Sequence, residues 1–164
     1  MILTPKALTA ENFSQFGDVI DTSTTETSFD INYGLTTRFH DMANIDVEDN
    51  GGKAGFSIFR AQSTPLPHQV KVMEYHPFGS QLFYPCNETP FLVLVAPPAE
   101  KLVINKLELF ITNGKQGVNY NKGTWHHYLL PLSDESSDFI VIDRVANDKN
   151  CIETDLNEKV IIEL

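Results

Sequence analysis

The chain has 164 residues, 41% of them hydrophobic, enough for one domain (1–164) to bury a core without help from disulfides. Its 22 acidic side chains outnumber 12 basic ones for a formal net charge of -10, a sign that repels polyphosphate backbones and anionic lipid and argues against nucleic acid and membrane partners. Only two cysteines are present, Cys86 and Cys151, with no CxxC pair, and MILTPKALTAENF lacks the cationic start and apolar core of a secretory leader, so the expectation is a reduced, cytoplasmic protein.

In chain order, Thr9 can cap a short helix running to about Phe16, with Phe13 and Phe16 on one face and Gly17 as its stop. Residues 21–28, DTSTTETS, read as an exposed connection, and Asn50-Gly51-Gly52 as a turn. From Ala54 onward short apolar runs recur between turns: GFSIFRA, QVKVMEYH, QLFYPC, FLVLVAP, LELFIT, HHYLLPL and DFIVIDRV. That spacing predicts an all-β sandwich or barrel rather than βαβ units. The prolines at 65, 67, 77, 85, 90, 97, 98 and 131 sit at the margins of these runs, where a missing ladder donor costs least. LNEKVIIEL at the end fits a strand or a helical turn equally.

Chemistry concentrates in two places. In ITNGKQGVNYNKGTWHHYLL, residues 111–130, Gly114 and Gly117 allow a turn of positive φ and Lys122-Gly123 a second one, before an extended run from Thr124 to Leu130. Strict alternation would put Trp125, His127 and Leu129 on one face and His126, Tyr128 and Leu130 on the other, so only one histidine can point inward. We read His126 as that one, and Trp125 and His127 as structural. Upstream, Glu74 and His76 lie two apart on a predicted strand and share a face with Val70 and Val72, which would make that face the buried one. A carboxylate and an imidazole there are costly unless paired, hydrated or bound to a ligand. His68 is expected in solvent.

The three arginines, against nine lysines, all adjoin apolar runs: Arg38, Arg60 and Arg144. A guanidinium grips a carboxylate through two parallel hydrogen bonds, which suits an acidic protein that holds a small anion. Arg60, ending GFSIF, is the favoured anchor. Arg144 points away from its neighbour Asp143 on a strand, so a structural role would require some other acid.

Asn121-x-Gly123-x-x-His126 resembles the second sequence motif of cupin β-barrels, with asparagine in the place of the proline. More specifically, GVNYNKGTWHH resembles the ureidoglycolate lyases, which carry a GVNYH-type run followed by WHH. The likeness extends to FGDVI at 16–20, Ile31-Asn32 with Gly34-Leu35, Arg38 with His40-Asp41, Arg60-Ala61-Gln62, Glu74 with His76-Pro77, and Ile142-Asp143-Arg144. It implies a cupin-type antiparallel β-barrel, jelly-roll-like, with a short N-terminal helix, assembled as a homodimer. It also implies cleavage of ureidoglycolate, a small anionic substrate, to glyoxylate and urea in allantoin degradation. In metal-dependent cupins the first motif supplies two histidines and a glutamate; here Glu74 replaces the first histidine and Gln81 the glutamate. Glu74, His76, Gln81 and His126 would thus form a weakened site for a divalent metal, nickel foremost. The lysis needs a base, for which His126 and Glu74 are candidates, and an acid, for which His76 and Tyr120 are. Arg60 with Asn119 or Asn113, and Arg38, are candidate anchors. A different small-carboxylate or sugar-binding cupin, metal-dependent or non-catalytic, is the alternative.

Overall fold

A computed structural model describes residues 1–164. Its strands are β1 (Ile2–Leu3), β2 (Lys6–Ala7), β3 (Gly17–Ile20), β4 (Ser28–Ile31), β5 (Thr36–Phe39), β6 (Lys53–Ala61), β7 (His68–Tyr75), β8 (Gln81–Pro85), β9 (Phe91–Ala96), β10 (Glu108–Ile111), β11 (Gly117–Tyr120), β12 (Trp125–His126), β13 (Leu130–Pro131), β14 (Ser137–Val145) and β15 (Ile152–Ile162), with one helical turn, α1 (Ala10–Phe13). Each apolar run picked out in the sequence becomes a strand except HHYLLPL, which is broken between β12 and β13. The C-terminal ambiguity resolves to the long strand β15.

Eight strands form one curled sheet in the order β1-β15-β7-β12-β9-β10-β2, with β13 also on β9; five form a second, β3-β11-β8-β14-β6; and β4-β5 is a separate hairpin. The all-β expectation holds. The pairing is not wholly antiparallel, because β1 runs parallel to β15 and β2 parallel to β10. The reason is local: two N-terminal dipeptides, separated by Thr4-Pro5, lay themselves along opposite ends of the same sheet.

Two apolar layers result. Phe83, Val93, Val95, Phe110, Val118, Phe139 and Val141 pack between the sheets with Phe13 and Phe16. On the other face of the curled sheet lie Val70, Met73, Leu92, Leu94, Leu109, Trp125 and Ile162. Every residue of β9 is buried because the strand has a layer on each side. The helix is shorter than expected. Thr9 Oγ1 accepts the Asn12 N–H and Asn12 Oδ1 accepts the Thr9 N–H, a capping box, but Gly17 already opens β3 and holds the helix to one turn.

Arg144 has the acid that its strand position required. Its side chain is fully buried, its two outer nitrogens hold Asp148 at 2.6 and 3.0 Å, and Nε and Nη2 reach the Asp49 carbonyl at 2.9 and 2.7 Å. Because truncating one member of a buried charged network leaves the rest unpaired, Arg144→Leu is expected to cost about 3 kcal/mol, a fall in Tm of about 6–12 °C for a chain of this size. Arg144 holds the Asp148 carboxyl below its ordinary value, so the contribution of this ion pair is present above the ordinary value and is lost as pH falls from there through the lowered one. The gap in Tm between wild type and variant should therefore narrow in acid.

Candidate active site

The site is assembled across both sheets. His126 sits opposite Glu74 on one side and Val95 on the other, and its side chain points into the layer between the sheets. From the facing sheet, Tyr120 lies opposite Gln81, and Gln81 opposite Asp143. His76 follows the end of β7. Strand parity and register thus bring Glu74, His76, Gln81, Tyr120 and His126 together, although the sequence separates them by up to fifty-two positions.

Hydrogen bonding fixes what each imidazole presents. His126 Nδ1 is 2.9 Å from the Thr124 carbonyl and His76 Nδ1 is bonded to the Asn150 carbonyl; a carbonyl only accepts, so each Nδ1 carries its proton. The opposite nitrogens face Glu74, whose Oε1 is 3.4 Å from His126 Nε2 and 4.0 Å from His76 Nε2. A neutral Nε2 lone pair against a carboxylate is repulsive, and His126 Nε2 is buried with no other partner. The cluster is therefore a socket for positive charge, either a proton or a cation. Around it a chain continues: His76 Nε2 lies 3.1 Å from Gln81 Oε1, and Gln81 Nε2 donates to Asp143 Oδ2 at 3.2 Å.

Titration follows the same geometry. The hydrogen bond with His126 is the main cause that holds the Glu74 carboxyl below its ordinary value, against the opposing effect of burial. Burial first, then the charge of His126, pulls His76 down. Burial, reinforced by Glu74, pushes the Tyr120 hydroxyl up and keeps it protonated. The phenol ring stacks on His126 with centroids 4.4 Å apart and planes 17° apart, fixing the imidazole between it and β9.

A cavity of about 510 Å³ adjoins this cluster, lined among others by Phe59, His68, Glu74, Gln81, Phe83 and Tyr128. Glu74 and Gln81 are thus the groups that a small molecule meets, and His126 stands behind Glu74. For a divalent ion the donor set fits: one carboxylate oxygen and two imidazole nitrogens lie within 4.8 Å of one another. Each imidazole is oriented by a backbone carbonyl at Nδ1, as metal-bound histidines are. Gln81 is less suited as a fourth ligand, since its amide already joins His76 to Asp143.

Several expected residues have other partners or lie away from the cluster. Asn119 is fully buried, but neighbours on a strand face opposite ways, so it points out of the layer that holds Tyr120; its amide donates to Asp18 at 3.0 Å and to the Asn44 carbonyl at 2.9 Å. Asn113 closes its own turn, accepting from Lys115 N–H at 2.9 Å. Arg60 has its guanidinium in a two-point bond with Asp138, at 2.7 and 2.8 Å, and is 69% exposed. Phe59, Arg60 and Ala61 all stand on the rim of the cavity, the Phe59 ring reaching in to Phe83 at 6.0 Å, but the Arg60 guanidinium is taken up by Asp138. Arg38 lies on the free hairpin β4-β5.

Strict strand alternation is broken in two places. Val70 and Met73, three apart, enter the same apolar layer, so Val70 does not share a face with Glu74; the register with β15 slips between Asp155 and Val160, opposite Val72 and Val70. Likewise His126 pairs with Val95 and Leu130 with Leu92, so one strand has an extra residue, and Leu129 rather than Tyr128 joins His126 in the inner layer. Gly114 and Gly123 have φ of +89° and +84° as the turns require, whereas Gly117 simply opens β11. His68 is not free in solvent: its Nε2 is buried and its ring meets His127 edge-on at 5.4 Å. Burial lowers the pKa of His127 to about 4, in keeping with a structural role.

Two further residues join the cluster without a signal in the motifs: Asp143, the partner of Gln81, and Cys151, whose Sγ is 3.6 Å from Glu74 Oε2. Asp143 could have been found by pairing β14 against β8; Cys151 stands at the approach to a strand whose register no local signal gave.

A family model for ureidoglycolate lyase matches residues 1–163. A ureidoglycolate lyase of Burkholderia mallei is 46% identical over 158 residues, covering 96% of this chain and 91% of its own. One of Pseudomonas syringae pv. tomato is 44% identical over 151 residues, covering 92% and 88%, and one of Pseudomonas putida is 43% identical over 155, covering 94% and 92%. The chain belongs to the ureidoglycolate lyase family.

Proposed function

We propose that this chain, as one domain in a cytoplasmic homodimer, cleaves ureidoglycolate to glyoxylate and urea in allantoin degradation. The observation that carries the reading is the convergence of Glu74 with two imidazole Nε2 atoms beside a cavity of fitting size. Family membership supplies the substrate. No helix is long and apolar enough to cross a membrane.

The substrate carbon bears a hydroxyl, a carboxylate and the ureido nitrogen. Lysis removes the hydroxyl proton, forms the carbonyl of glyoxylate from the C–O bond, breaks the C–N bond and places a proton on the departing nitrogen, so that nothing is added from water. Glu74, which lines the cavity, takes the hydroxyl proton and shares it with His126 Nε2, whose Nδ1–H stays on the Thr124 carbonyl. Across the cluster, His76 in its charged form donates to Gln81 and to Asn150 at once. Burial lowers its pKa, and a buried imidazolium that releases its proton readily is a suitable acid for the urea nitrogen. Tyr120 keeps the His126 ring in place and remains protonated. A divalent ion, nickel foremost, would be held by Glu74, His76 and His126, where it would act as a Lewis acid on substrate oxygens.

Incubating the purified protein with ureidoglycolate should release glyoxylate and urea in equal amounts with no ammonia. Ammonia in place of urea would mean hydrolysis of the ureido group and would overturn the lysis. Activity that disappears on exhaustive chelation and returns with nickel would place the positive charge of the socket on a metal. Unchanged activity would place it on the proton.

A further inference from the structure

Two features of the fold stand without partners. β6 is the outer strand of the five-stranded sheet, so one side of its nine residues presents unpaired backbone N–H and C=O groups. The hairpin β4-β5 pairs with neither sheet, and a lone two-stranded ribbon is marginal in water. Of the fourteen exposed large hydrophobic side chains, seven fall on these two features: Phe29, Tyr33, Leu35 and Phe39 on the hairpin, and Phe56, Ile58 and Phe59 on β6. A chain of net charge -10 would repel a copy of itself unless apolar burial offset the repulsion, and these residues are where such burial is available.

The cavity opens along that same strand, with Phe59, Arg60 and Ala61 on its rim. It also lacks a free cation. Arg60 is the one arginine or lysine that lines it and is held by Asp138; Arg144 is held by Asp148. Arg38 alone of the three arginines has no carboxylate partner, and its guanidinium lies 5.9 Å over the Phe29 ring. Phe29 pairs with Arg38 and Ile31 with Thr36, so Phe29, Ile31 and Arg38 share one face of the hairpin.

The geometry points to an assembly in which the hairpin Ser28–Phe39 of a second copy adds to the free edge of β6 and brings the partner's Arg38 to the cavity rim, where it takes the substrate carboxylate. A second copy is the fitting occupant because edge and hairpin are both on this chain. A two-fold axis uses each of them twice, so the β6 edge of both copies is covered in a closed pair. The site is then incomplete in a single chain. This deepens the lyase reading and rests on it for the carboxylate.

The test is a mixed dimer of Arg38→Ala and His126→Ala subunits, isolated through two different tags. Arg38→Ala alone should lower kcat/KM by about 10-fold to 100-fold, mostly through KM, as expected for a lost bond to a charged group, with Arg38→Lys in between. In the mixed dimer, one of the two sites combines an intact His126 with an intact Arg38 from the other subunit, so half of the wild-type turnover per dimer should return. Recovery no greater than the sum of the parents would mean that Arg38 serves its own subunit, and wild-type kinetics in Arg38→Ala would remove it from the site. Sedimentation reads the assembly independently of substrate: the wild type should run as a dimer at micromolar concentration and Phe56→Glu as a folded monomer. A monomeric wild type overturns the inference. A dimeric wild type that turns over no ureidoglycolate, with Phe56→Glu monomeric, overturns the lyase reading and with it the role of Arg38, but not the docking of hairpin on β6.

Discussion

His126→Ala should lower kcat on ureidoglycolate by about 100-fold to 10,000-fold, the range that a positioned proton-transfer group contributes. The basis is geometric: His126 Nε2 has Glu74 as its one neighbour of opposite charge, at 3.4 Å, and Tyr120 stacked on its ring. Glu74→Gln should cause a loss of similar size, because it keeps the shape and removes the charge that the socket is built around. The two losses should not add in the double variant, since residues that act as one unit are non-additive. Truncating a side chain that is 1% exposed also leaves a void, so His126→Gln, which fills more of the space, should melt closer to wild type while it stays slow. Near-wild-type turnover in both His126 variants would leave the residue as a part of the core.

Gly17→Ala should be the most damaging small change outside the site, at about 3–5 kcal/mol, or a drop in Tm of at least about 6 °C. Gly17 has φ of +152°, and a Cβ there would come within 1.8 Å of the Asn119 carbonyl oxygen, a backbone atom that cannot step aside. β3 would have to leave β11, on which Gly17 is the register partner of Tyr120. The loss should reach activity too. Asn121 N–H donates to the Phe16 carbonyl at 2.8 Å and Thr124 Oγ1 to the same carbonyl at 3.0 Å, so the turn that presents His126 is held by the residue before Gly17. A Tm within about 1 °C of wild type would show that β3 moves freely enough to make the contact irrelevant.

What could be read from the sequence was whatever depended on short range. Thr9 marked a helix start, Gly123 a turn, and the apolar runs marked strands, because each of these is settled within a few residues. The grouping of Glu74, His76 and His126 came from the resemblance and is matched by the pairing of Glu74 with His126. What could not be read depended on pairing over distance. The carboxylate partner of Arg60 is Asp138, seventy-eight positions away, and nothing local distinguishes an arginine so engaged from a free one. Asn119 sits between two inward residues, and its outward direction is evident only once Val118 and Tyr120 are seen in the core. The extra residue between His126 and Leu130 reverses the faces of everything after it, and an alternation rule has no means of counting a residue in the opposite strand that is not there.

The arrangement of the N-terminal stretch bears on how the chain folds. β1 and β2 lie at the two ends of the eight-stranded sheet, Ile2 beside Ile161 and Lys6 beside Phe110, so neither can pair until most of the chain is in place. Contacts across such sequence distances slow folding, because ring closure is costly before the contact rewards it. During that interval β10 and β15 have their outer backbone groups free, and a nascent chain at high concentration could meet another at those edges. Pro5, between the two closing dipeptides, has no N–H to offer an incoming strand, which leaves the seam, once closed, a poor template for a further chain.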